Sequence, residues 1–129
     1  MATRRGLTEI TPAVRAAVRA AGVAEGLCTV FVRHTSASLV IQENADRSVQ
    51  RDLEAFLSRL VPDGDPLFTH VEEGDDDMSA HVKAALLKTS EQVPVAGGEL
   101  LLGTWQGIYV WEHRTGSRRR QVVVHVAGE

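Results

Sequence analysis

The chain has 129 residues, 43% of them hydrophobic and 24% charged, a composition that fits one globular domain and excludes a disordered chain. Its formal net charge of −3 argues against a general nucleic-acid binder, and no apolar run approaches the ~20 residues of a membrane helix. The N-terminus shows no apolar export segment, and the single cysteine, Cys28, permits no intrachain disulfide; together these point to the cytoplasm.

Taken in chain order, Thr11-Pro12 reads as a helix N-cap followed by proline at the first helical position. Val14, Ala17, Val18 and Ala21 then share one face, and Gly22 supplies a left-handed stop. Residues 27–33 are β-branched and apolar and predict a strand, within which Cys28 is a small buried hydrophobe. His34-Thr-Ser-Ala-Ser38 interrupts that strand, and residues 39–42 resume it. A second helix starts near residues 44–46, carries the apolar stripe Val49, Leu53, Phe56, Leu57 and Leu60, and stops at Pro62. The polar stretch 62–77 is long for a loop in a compact domain, as functional loops are. A third helix is expected over 78–88, capped by Asp76 or Asp77. Strands follow at 92–95 and 99–102 around a Gly97-Gly98 turn, then at 107–112 and 121–126. The order predicts an α+β fold: a two-layer sandwich over residues 1–129, with helices packed on a largely antiparallel sheet.

Several clusters carry chemistry. Between His70 and His81 the sequence crowds Glu72, Glu73, Asp75, Asp76 and Asp77. Imidazole and carboxylate together suit zinc or a similar ion, and Asp77 and His81 share a helical face at i,i+4. The same segment also reads as a solvated acidic loop ending in a helix cap. In His34-Thr-Ser-Ala-Ser38, Thr35, Ser36 and nearby N–H groups are either a strand break or an anion cradle. Gly103-Thr-Trp-Gln-Gly107 places Trp105 either over the core or beside a pocket that takes a flat ring. Glu112 and Arg114 fall on one side of a strand, as a surface pair or as part of an anion site. Arg118-Arg119-Arg120 reads as a solvated turn.

In this order His34-Thr-Ser-Ala-Ser-Leu, Gln42-Glu-Asn-Ala-Asp46, Glu73-Gly-Asp-Asp-Asp-Met-Ser-Ala-His81, Gly103-Thr-Trp-Gln-Gly-Ile108 and Glu112-His-Arg114 resemble the YjbQ family, small proteins described as secondary thiamine-phosphate synthases. The resemblance implies a homotrimer with a histidine-lined metal site, and it makes His34, His70 and His81 the expected ligands. Family members usually carry another strand's worth of residues before the Arg5-Gly6 pair, which leaves the first edge strand clipped or the start misassigned.

The activity implied is the joining of a hydroxymethylpyrimidine pyrophosphate to a thiazole phosphate. For that reaction Arg114, Glu43 and Glu112 are the expected catalytic residues. Thr35 and Ser36 would hold the anion, Asp75 and Asp76 a magnesium-bridged pyrophosphate, and Trp105 the rings. The resident ion expected is divalent, zinc first and magnesium second. Two further readings stand beside it. One is a metal-dependent hydrolase of a small phosphorylated or amide substrate, with Glu43 or Glu73 as base. The other is a non-enzymatic trimeric module that binds a metal or metabolite.

Overall fold

The computed structural model describes residues 1–129. Its elements in chain order are β1 (Ala2–Thr3), β2 (Gly6–Glu9), α1 (Thr11–Ala21), β3 (Gly26–Val32), β4 (Ala37–Glu43), α2 (Arg47–Leu60), α3 (Asp75–Leu86), β5 (Ser90–Ala96), β6 (Glu99–Leu100), β7 (Gln106–Glu112), β8 (Arg118–Arg119) and β9 (Val122–Gly128). All pairings are antiparallel. They build a three-stranded sheet β2-β7-β4, a four-stranded sheet β6-β5-β3-β9 and a small β1-β8 ribbon. The α+β class expected from the sequence is the class observed. No helix is long and apolar enough to cross a membrane.

Local chemistry explains the element ends. Pro12 sits in the first turn of α1, but Ile10 and not Thr11 occupies the cap position. The Thr11 hydroxyl is used elsewhere: it accepts from the Ile108 N–H at 2.8 Å and donates to Glu9 at 2.8 Å. Gly22, at φ 67°, closes α1 in the left-handed region that a side chain would resist. Asp46 caps α2 by accepting from the Ser48 N–H at 2.9 Å. α3 begins earlier than the sequence suggested, after Gly74, so Asp75, Asp76 and Asp77 fill its first turn and none of them caps it. Carboxylates there are favoured by the helix dipole.

One core joins the layers. Cys28, Val30 and Val32 alternate inward along β3 to meet Val93 and Val95, Leu39, Ile108 and Val110, with Val14 and Val18 of α1 packed among them. β7 is buried on both faces: Ile108 and Val110 face this core, while Tyr109 and Trp111 face α2 through Gln50 and Glu54. An isolated bridge, Leu39 to Lys88, ties the two larger sheets together. β4 and β7 run side by side from the Ala37–Glu112 pair to the Glu43–Gln106 pair. One end of this pair of strands therefore carries Ser36, Thr35 and Arg114, and the other carries Asn44 and Trp105, roughly 20 Å away at about 3.3 Å per residue.

Candidate metal centre

α3 and the loop before it bring together three donors. His70 Nε2 lies 2.7 Å from Asp77 Oδ2, and His81 Nε2 lies 3.2 Å from the same oxygen. The ligand atoms of His70, Asp77 and His81 all fall within 4.8 Å of one another. Asp77 and His81 meet because residues four apart on a helix share a face. His70 is delivered by the folding back of the loop, whose Gly64 N–H donates to the Asp75 carbonyl at 3.0 Å.

The surroundings fix these donors. His81 Nδ1 lies 2.9 Å from the Thr35 carbonyl, an acceptor only, so Nδ1 carries the proton and Nε2 faces the carboxylate. Asp77 is buried, and Arg114 Nη1 stands 3.4 Å from its other oxygen. Burial pushes the Asp77 carboxyl up, but the His70 hydrogen bond and the nearby His81 and Arg114 outweigh it and hold the group below its ordinary value. Asp76 shows the same balance more strongly. Burial opposes ionisation, yet bonds from Arg114 and from the Thr115 N–H and hydroxyl hold it well below the usual carboxylate range.

Other expected site residues are placed differently. His34 stands outside the cluster: its Nε2 accepts from the Gln121 N–H at 2.7 Å, which takes up the lone pair that a metal would need. Arg114 is no free cation for a leaving group, since its guanidinium is committed to Asp76, Asp77 and the Glu73 carbonyl. Asp76 is consumed by the same pairing and cannot hold a magnesium-bridged pyrophosphate; Asp75 is exposed beside Gly64. Glu112 is fully buried and accepts from Thr3, from the Arg114 N–H and from Arg120, so it is a structural anchor rather than a catalyst. Glu43 lies at the far end of β4, where its side chain accepts from the Asp46 N–H. Ser36 is buried under Arg120, and Thr35 contributes its carbonyl. Trp105 is 63% exposed and lines none of the principal cavities. Arg120 is not a solvated turn residue: it is buried against Glu112.

Sequence reasoning placed Asp77 and His81 on one helical face but made His34, rather than Asp77, the third ligand. It also missed the interior behind the site. Lys83, two residues on from His81, turns inward and is fully buried, as is His113; Lys83 Nζ and His113 Nδ1 have no hydrogen-bond partner. His113 Nε2 meets Ser38 Oγ at 2.9 Å.

The fold and the cluster define a small α+β protein with two histidines and one carboxylate converging at the start of a helix. The profile of the family described as "UPF0047 protein YjbQ-like" matches residues 1–129, and the chain belongs to that family. It is 53% identical to a UPF0047 protein of Synechocystis, covering 97% of this chain and 85% of that one. It is 40% identical to one of Methanocaldococcus jannaschii, covering 98% and 88%. A crystal structure from Clostridium acetobutylicum, described as an uncharacterized conserved protein of the family, superposes with a TM-score of 0.86 at 39% identity over 98% of each chain. A YbjQ-like protein of unknown function from Sulfolobus solfataricus gives 0.87 at 26% identity, over 100% of this chain and 94% of that one. These findings overturn the thiamine-phosphate-synthase reading. The relatives carry only the family designation, the Sulfolobus structure is described as of unknown function, and Arg114, Asp76, Glu112 and Ser36, assigned to that reaction, are committed elsewhere.

Proposed function

We propose that this protein is a non-enzymatic divalent-metal-binding module, with His70, Asp77 and His81 as ligands and zinc as the favoured ion. One observation carries the reading. With its Nδ1 proton given to the Thr35 carbonyl, His81 presents Nε2 to Asp77 Oδ2 at 3.2 Å, and His70 presents its own Nε2 to the same oxygen. His70 can donate an Nε2–H to that oxygen as a neutral imidazole, but His81, with its proton on Nδ1, needs a second proton or a cation between its Nε2 and the carboxylate. A divalent ion satisfies all three at once. Imidazole nitrogen suits zinc or iron better than magnesium, which prefers oxygen. The second sphere is that of a metal site: a carbonyl orients one histidine and a guanidinium orients the carboxylate. Of the carboxylates offered as catalytic groups, Glu43 is remote and Glu112 and Asp76 are engaged, which favours binding over hydrolysis; Glu73, exposed beside the cluster, is the one remaining base for a hydrolase.

Elemental analysis of the purified protein tests this. Wild type is expected to hold a divalent transition ion that Asp77→Asn and His81→Ala lose. Arg114→Ala, which frees the Asp77 carboxylate to rotate, is expected to weaken the ion about 10–100-fold. Equal, near-zero metal in wild type and His81→Ala would overturn the reading.

The module is proposed to work as a homotrimer. Leu27 and Phe31 of β3 and Val123 of β9 are exposed on the outer side of the four-stranded sheet, where strand register sets Phe31 opposite Val123. Apolar groups adjacent on an open sheet face favour assembly. Light scattering is expected to report three copies at micromolar concentration, and a monomer alone would contradict it.

A further inference from the structure

The end of the β4–β7 pair remote from the metal ligands carries a second feature. A cavity of about 460 Å³ opens between β2, β7 and the first turns of α2, within the size range of small-molecule sites. Its lining draws on Glu9 and Asn44, which the metal centre does not use, with a third segment behind them. Glu9 closes β2, Asn44 follows β4, and the Gly103–Gly107 segment passes behind them. The Asn44 N–H donates to the Trp105 carbonyl at 2.9 Å. Glu9 Oε2 accepts from Thr11 Oγ1 at 2.8 Å and from Asn44 Nδ2 at 3.3 Å. Gly107 permits this arrangement: a Cβ there would stand 2.5 Å from Glu9 Oε2 and 3.1 Å from Asn44 Cβ. Gln50 and the Tyr109 hydroxyl are tied to the Glu43 carbonyl and stiffen the wall.

Arg47 and Arg51 complete the rim, one turn apart on α2. Both are exposed, and neither joins any of the protein's ion pairs. Asp46 lies within Coulombic reach of Arg51, but its carboxylate accepts from Ser48 as the α2 cap. From this cavity we infer a binding site for a small hydroxylated phosphate ester, of the sugar-phosphate class. Two guanidiniums at helical spacing suit a phosphate dianion. Glu9 Oε1, which has no protein partner, accepts from a ligand hydroxyl, and Asn44 both donates and accepts. The Glu9 charge disfavours a second anionic group, so the ligand is anionic at one end and a neutral donor at the other. Leu7 and the Tyr109 ring offer little apolar wall, which disfavours a large aromatic ligand. The site is independent of the proposed metal centre.

Calorimetric titration with ribose 5-phosphate tests the inference, with ribose and inorganic phosphate as separate arms. Wild type is expected to bind the ester saturably and more tightly than inorganic phosphate, with ribose alone weakest. Arg47→Ala/Arg51→Ala is expected to weaken the ester at least about tenfold while melting with wild type, because both positions are exposed. Glu9→Gln is expected to weaken the ester without weakening inorganic phosphate. Chelator treatment is expected to leave the ester's affinity unchanged, which separates this site from the metal ligands. Three results would overturn it: no saturable binding of the ester at about 10 mM, a double arginine variant equal to wild type, or inorganic phosphate binding as tightly as the ester.

Discussion

Arg120→Met is expected to cost about 3–5 kcal/mol of stability, the usual consequence of removing one partner from a buried ion pair. The pair is out of water on both sides: the Arg120 side chain is 7% exposed and that of Glu112 not at all. Arg120 meets Glu112 through Nε and Nη2, and its Nη2 also donates to the Ser36 hydroxyl at 3.0 Å. Thr3 and the Arg114 N–H supply the remaining donors to the carboxylate. Burial alone would raise the Glu112 carboxyl, but the bonds from Arg120 and Thr3 outweigh it and keep the group ionised. Methionine fills much of the volume yet leaves that anion buried with a reduced shell of donors. The expected result in urea unfolding is a large drop in midpoint at unchanged slope. Arg118→Met, two residues earlier on β8, half-buried and with its side chain bonded only to the Thr115 carbonyl, is expected to cost no more than about 1 kcal/mol. Glu112→Leu combined with Arg120→Met is expected to recover much of the loss, because the isolated charge then disappears. A single Arg120→Met variant as stable as wild type would mean that the pair is not buried in solution.

The contrast between Arg118 and Arg120 shows how far the sequence could be read. Helices and strands with a clear apolar period were legible: α1 with its Pro12 and Gly22 ends, the alternation of β3, and the Gly97-Gly98 turn, both of whose glycines have positive φ. β2 was not legible, because its four residues are too few for a period and it exists through pairing with β7. The α2 stripe was only half correct. Leu57 is buried, whereas Phe56 and Leu60 are 59% and 60% exposed, since the helix leans on the sheet along a narrower face than its apolar residues offer. At the candidate site, the link between Asp77 and His81 is local and could be read from spacing. The arrival of His70, the diversion of His34 to the Gln121 N–H, and the burial of Arg120 are set by tertiary pairing. A run of three arginines gives no local sign that its third member will face inward. That choice depends on β9 lying against β3 and on a carboxylate waiting at the end of β7.

His113→Gln is expected to flatten the acid sensitivity of the fold between pH 6.5 and 5. His113 is fully buried beneath Trp111, with ring centroids 5.8 Å apart. Burial, followed by the charge of Lys83, lowers it from an ordinary 6.5 to about 3. In this window the unfolded chain binds a proton at residue 113 that the folded chain excludes. Stability is therefore fully present above pH 6.5 and is lost as pH falls toward 3. The slope approaches about 1.4 kcal/mol per pH unit, or about 2 kcal/mol from pH 6.5 to 5. Glu112, Asp76 and Asp77 have the opposite chemistry but the same sign, since their carboxyls are held low in the fold. Their contribution is lost only below their unfolded values of 4.5 and 3.8, so they leave the window between pH 6.5 and 5 largely to histidine. His34 is also lowered, by burial and then by Arg120, and adds to the wild-type slope in both proteins alike. At pH 7.5 the glutamine variant is expected to be the less stable protein, because it gives up packing against Trp111. Its deficit should shrink by about 2 kcal/mol as the pH is brought to 5. Urea midpoints for the two proteins across this range decide the matter: converging curves locate the acid sensitivity at His113, and parallel curves would place it elsewhere.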